Sequence, residues 1–167
     1  MDFNWKNTIM EMHNSSTALT TQDILQSIKE EGYFPVAEDN GDVRFKVNGT
    51  LLVVSREGME CVSIRVYFAM DESNSEPAMQ AANEIMSRYL LVRPVVSPSG
   101  DSIVFCIDSF CPSADVFRKM LPESISLLGE AIESHHDEME KIMKQRSCAV
   151  PSMEELIRSM AFSSEKS

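Results

Sequence analysis

The side chains best suited to chemistry are few: three histidines, His13, His135 and His136, and four cysteines, Cys61, Cys106, Cys111 and Cys148. A zinc centre needs several N, S or O ligands converging on one point. Neighbouring residues on a helix point about 100° apart, so His135 and His136 do not share an ion, and His136 with Glu133 or Glu140 makes only a two-ligand face. The cysteines are scattered, without a C-x-x-C pair. They read as reduced thiols that pack as small apolar residues. No G-x-S-x-G elbow presents a serine to a base. The six glycines form neither G-x-G-x-x-G nor G-x-x-x-x-G-K-[ST], so no phosphate-cradling loop is spelled out. The run Asp71-Glu72-Ser73-Asn74-Ser75-Glu76 lacks the glycine and closing glutamate of a calcium loop. The expectation is a chain without catalytic residues, metal ligands or a cofactor. A small-molecule binder, or an enzyme whose site is assembled from distant residues, is the alternative that spacing alone leaves open.

These residues must be positioned by a single folding unit, because 167 residues correspond to about one domain. With 43% hydrophobic residues, a chain of this size holds a core without metal or disulfide staples. The formal charge of −11 repels phosphate backbones and anionic headgroups, which argues against nucleic acid or a membrane as partner. The first residues carry neither a basic n-region nor an apolar h-region. No stretch of about 18 apolar residues occurs, and the expectation is a soluble, cytoplasmic protein.

Along the chain, Trp5, Ile9 and Met12 share one face of a short helix within residues 1–18. Thr20 then caps a helix over 21–31, with Asp23 completing a capping box, Leu19 stapled onto Ile24, and Gly32 as the stop. Ile24, Leu25 and Ile28 form its apolar stripe. From Tyr33 the period drops to two. Val43, Phe45 and Val47 alternate with Arg44 and Lys46, and Asn48-Gly49 predicts a type I′ hairpin turn into Thr50–Ser55. A third strand carries Val62, Ile64, Val66 and Phe68, and a short piece at 33–37 precedes the meander. Ser75 caps a second helix over 76–90, with Pro77 in its first turn and Ala78, Ala82, Ile85, Met86 and Tyr89 on one face. Val92–Val96 and Ser102–Asp108 form a second hairpin around Ser97-Pro98-Ser99-Gly100. A long helix from Ser113 must kink or restart at Pro122. Beyond it, Ile125, Leu128, Ile132, His135, Met139 and Ile142 make an a/d seam. A last helix, 152–162, is capped by Ser152 with Glu155 and carries Met153, Leu156, Ile157 and Met160 on one face.

The predicted fold is α+β, with a five-stranded antiparallel sheet in the order α-β-β-β-α-β-β-α and extra short helices at both ends. The domain spans 20–146, with an extension at 1–19 and a linker plus amphipathic helix and tail at 147–167. This order resembles the type III secretion chaperone-like fold, especially its YbjN-type branch of small bacterial proteins. The resemblance rests on Gly41-Asp42-Val43-Arg44-Phe45 opening the meander, Ala82-Asn83-Glu84-Ile85 in the second helix, and Ser99-Gly100-Asp101-Ser102-Ile103-Val104 at the second hairpin. It implies a non-enzymatic domain that dimerises and, in secretion chaperones, wraps an extended client along apolar patches. It supplies no catalytic residues. Two surfaces follow as candidates. Met153, Leu156, Ile157 and Met160 would meet a protein partner, and Ile132, His135, Met139 and Ile142 would meet a second copy in a homodimer. The twelve methionines suit irregular partner surfaces, with Met70, Met79, Met86 and Met120 assigned to the core.

Overall fold

In the computed structural model, which describes residues 18–58 and 60–149, the first helix begins where its cap demands. Thr20 Oγ1 accepts the Asp23 backbone N–H at 3.2 Å, and the Thr20 N–H reaches the Asp23 carboxylate at 2.9 Å. Two donors that a helix start leaves open are thereby satisfied. Helix α1, Thr21–Glu30, ends on Gly32 at φ +86°. The Gly32 N–H bonds to the Lys29 carbonyl and the Tyr33 N–H to the Ile28 carbonyl, the two closing bonds of a Schellman end. Leu19 and Ile24 are both buried, as the staple requires.

Six antiparallel strands follow, β1 (Val36–Ala37), β2 (Val43–Val47), β3 (Thr50–Glu57), β4 (Cys61–Ala69), β5 (Arg93–Val96) and β6 (Ser102–Phe110), in spatial order β1-β2-β3-β4-β6-β5. This is one strand more than the five expected, because the piece anticipated at 33–37 pairs with β2 as Val36↔Arg44 and Ala37↔Val43. Asn48 and Gly49 both take positive φ, 49° and 85°, which is the type I′ geometry whose twist suits a tight hairpin. Strand alternation sorts the side chains into two faces. On the inner face, Val43, Val54, Ile64 and Ile107 form one cross-strand row, and Phe45, Leu52, Val66, Phe105 and Pro94 form the next. These rows and the helices share one core.

Helix α2, Ser75–Arg88, buries Ala78, Ala81, Ala82 and Ile85. Ser75 is its first helical residue rather than its cap. Asp71 instead takes the Ser73 N–H and opens a 3-10 turn, Glu72–Asn74, that leads into the helix. Met86 is 45% exposed, and Ala81 holds the core position assigned to it. Met79 is also exposed, whereas Met70 and Met120 pack against the core. Helix α3, Ala114–Ala149, runs through Pro122 without restarting, so the Arg118 carbonyl loses its usual N–H donor within a continuous helix. At 1.5 Å per residue its 36 residues extend about 54 Å, well past α2. The expected helices at 1–18 and 152–162 lie outside the described residues.

Candidate functional site

Three depressions meet at one corner of the fold, around the connection from α1 to β1. Tyr33 packs against Phe45 with ring centroids 5.4 Å apart and planes tilted by 46°, and the next residue points outward. Phe34 is 91% exposed. On one side of it lies a depression of about 500 Å³ bounded by Val36, Arg44, Lys46 and Leu51. On another is one of about 510 Å³ formed with Lys29, Gly32 and Pro35. The third, about 610 Å³, begins at Tyr33 and runs between the sheet and α3. Its floor is apolar, with Val47, Leu52, Val66 and Phe68 from the sheet and Ile125, Leu128 and Ile132 from α3, while Glu130 and Glu133 stand on its rim. At Gly129 an added Cβ would meet nothing within 4 Å, so the helix wall is open there. The corner thus joins apolar ground to a basic flank at Lys29, Arg44 and Lys46 and an acidic flank on α3.

Sheet edges are the other common docking points for extended peptides, and here a proline stands in one edge strand and directly before the other. Pro35 immediately precedes β1, and Pro94 lies within β5, the two edge strands. A proline offers no N–H to an incoming strand, so the faces and the corner are better suited to a partner than the edges.

The outer face of the sheet carries a polar network that periodicity did not announce. Ser63 donates to the Asp108 carboxylate at 2.6 Å and accepts from Arg65 Nε at 2.9 Å. Arg65 also pairs with Glu57, and Arg93 with Asp108. Burial alone would raise the Asp108 pKa, but hydrogen bonds from Ser63 and Arg93, with the charges of Arg93 and Arg65, hold it below the usual carboxylate range. Cys106 lies between these arginines in the cross-strand row. Burial nevertheless pushes its thiol pKa up, against the pull of Arg93 and Arg65, so its nucleophilic thiolate is suppressed. Ser63 bonds to a carboxylate and a guanidinium, not to an imidazole: His135 faces the core and His136 is exposed on α3. The arrangement ties four strands together rather than activating a nucleophile. Among the described residues no group of three or more His, Cys, Asp or Glu could hold a metal ion, and no helix is long and apolar enough to cross a membrane. Cys61, Cys106 and Cys111 are unbridged.

The residues singled out from sequence fall differently. His135 is 5% exposed; its Nε2 lies 3.2 Å from the Ala78 carbonyl, and its ring meets Phe105 edge-on at 5.2 Å. It is therefore engaged within its own fold, and its assignment to a surface between two copies is corrected. The small side chains of α2 let α3 approach closely enough for that contact. Burial pushes the His135 pKa down. Ile132, Met139 and Ile142 are half-buried, along a helix also tied to α2 by Arg88–Glu138 and Arg146–Glu76. Met153, Leu156, Ile157 and Met160 lie outside the described residues. Sequence reading missed the corner. Its one local signal was Phe34-Pro35 directly after the helix stop, an aromatic with no place in either the 3.6 or the 2 period.

No protein-family model matches the chain, and no curated protein matches it in sequence. Solved structures do. YbjN from E. coli, a suspected transcription regulator, superposes with a TM-score of 0.60 at 12% identity, over 78% of this chain and 97% of that one. An uncharacterised protein from Methanothermobacter thermautotrophicus gives 0.50 at 14% identity, over 74% and 98%. The Yersinia pestis type III secretion chaperone SycH, solved in complex with a stable fragment of YscM2, gives 0.48 at 10% identity, over 68% and 97%. The chain has the α+β fold that YbjN represents, and the resemblance read from sequence holds at the level of fold.

Proposed function

We propose that this chain is a non-enzymatic protein-binding domain, chaperone-like or regulatory, that receives its partner at the Phe34 corner. The observation that carries the reading is Phe34 itself, 91% exposed between two depressions that it lines, with the third beginning at the neighbouring Tyr33. A large aromatic left in water between apolar hollows marks an interaction surface rather than a packing accident. The floor accepts apolar side chains, and the two charged flanks fix a segment's direction. A YbjN-like fold is compatible with this reading. The half-open groove beside α3 also has the volume of a small-molecule site, and that is the competing reading.

The test is photo-cross-linking in cells of the source organism, with the reactive group at position 34 and, as control, at Leu90, which is 97% exposed but borders none of these hollows. Discrete protein adducts at 34 that are absent at 90, and lost when Leu51→Asp is added, are expected. Identical adduct patterns at both positions, or none at 34, would refute the corner. Repeating the capture with a chain ending at Gln145 asks whether Met153, Leu156, Ile157 and Met160 contribute to the same partner; loss of adducts on truncation is the expected result.

A further inference from the structure

Strand alternation gathers cations on one face of this sheet. Of the 15 Lys and Arg, five lie in strands, against two of the 26 Asp and Glu. Four of those five, Arg44, Lys46, Arg65 and Arg93, fall on the outer face. The helices all contribute to the core on the inner side, and no described helix rests on the outer one. Across the outer face the register draws two parallel rows. In one, Arg44, Arg65 and Arg93 stand on every second strand, with Val53 and Cys106 between them. In the other, two residues along, Leu51, Tyr67, Val104 and Val95 stand side by side, Leu51 meeting Tyr67 one step past the Leu52–Val66 pair. Leu51, Tyr67 and Val95 are exposed.

Both rows start at the Phe34 corner, because Arg44, Lys46 and Leu51 also bound its first depression. Arg44, Arg65 and Arg93 pair with Glu38, Glu57 and Asp108, and the exposed Lys46 has no ion pair among the described residues. The face thus keeps a positive charge in a chain whose formal charge is −11. Ion pairs at such exposure are weak, and a guanidinium has donors enough to take a second carboxylate. With prolines at the edges, a partner here lies over the face instead of extending the sheet. One side of an extended strand repeats about every 6.8 Å, too coarse for the rows. One helical turn rises about 5.4 Å, close to the ~4.8 Å between neighbouring strands. Helix positions seven apart are about 10.5 Å apart, close to the ~9.6 Å between arginines on alternate strands. We infer that the partner received at the corner continues across the outer face as an acidic amphipathic helix. Its apolar stripe lies over Leu51, Tyr67, Val104 and Val95, and carboxylates seven residues apart on one flank meet Arg44, Arg65 and Arg93. The inference rests on the corner as the point of entry, and adds the chemistry of what enters.

The probe is a fluorescently labelled peptide of about 18 residues, ~27 Å long as a helix, with leucines on one face and glutamates seven apart on one flank. A counterpart carries lysine at each glutamate, and binding of both to the intact protein is read by fluorescence anisotropy. The glutamate peptide should bind roughly ten-fold more tightly than the lysine peptide. Tyr67→Glu should weaken it by a similar factor. Arg44→Glu should weaken the glutamate peptide and strengthen the lysine peptide, a reversal that loss of fold does not produce; circular dichroism confirms that each variant is folded. Equal affinity for the two peptides would overturn the inference. So would binding of neither, the result expected if another part of the chain already covers this face. A single-stranded oligonucleotide that binds more tightly than the glutamate peptide, and loses that binding in Arg44→Glu, would assign the face to nucleic acid and overturn it equally. Loss of peptide binding in Phe34→Ala with none in Tyr67→Glu would leave the corner standing and overturn the extension across the face. Loss in Tyr67→Glu with none in Phe34→Ala would uphold the helix on the face and refute the corner.

Discussion

His135 shows how much a single side chain can hide from a periodic reading. Its position in the seam was legible, because residues three and four apart share a helix face. What it would meet was not, because the Ala78 carbonyl and the Phe105 ring that surround it come from a helix and a strand far away in the chain. The consequence is testable by pH. Burial lowers the folded pKa of this imidazole below its ordinary value, while the unfolded chain protonates it normally. Stability from the neutral ring is thus complete above the unfolded value and is lost as pH falls through the lowered folded one. His135→Gln removes the titration while retaining an amide donor for Ala78. In urea unfolding the variant should be somewhat less stable near neutrality, yet lose less stability than the parent between about pH 7 and pH 5. Equal losses in both proteins would mean that the ring is not held neutral.

At the scale of elements, the strands were legible from their alternation and from Asn48-Gly49, and α1 from its cap and stop. Their lengths were not. β3 continues through Arg56 and Glu57 because β4 offers Val62 and Cys61 opposite them, and a partner strand leaves no trace in the local pattern. The start of α2 was displaced for a similar reason, since Asp71 competes for the turn through the Ser73 N–H at 3.0 Å. The turn after β5 ties these elements together. Gly100 has φ +76°, and a Cβ there would lie 3.0 Å from Ser75 Cβ and Oγ at the head of α2. Gly100→Ala should therefore cost about 1–2 kcal/mol from the backbone alone, with the close contact adding to it. A melting temperature equal to the parent's would show that hairpin and helix are not coupled at this point. Thr20→Ala, by removing the cap, should cost about 1 kcal/mol, read as a lower urea midpoint with unchanged slope.

The corner exists only at the scale of the whole molecule. It joins residues 29–36, 44–51 and 125–133, three stretches that no window along the sequence brings together, and this is why the candidate site was less legible than the fold. Self-association belongs to this scale as well. With His135 withdrawn, a contact between copies would fall to Ile132, Met139 and Ile142, along the part of α3 where Met143 is 43% exposed. If two copies meet there, light scattering should show a dimer mass that Ile142→Asp returns to that of one chain. A mass that never exceeds one chain would remove the dimer.

The prolines at the two flanks of the sheet have one more consequence. An exposed sheet edge is a template on which a second copy can pair, and repeated pairing grows a fibre. With β1 only two residues long behind Pro35 and β5 only four with Pro94 inside it, neither rim offers a long unbroken template for such growth.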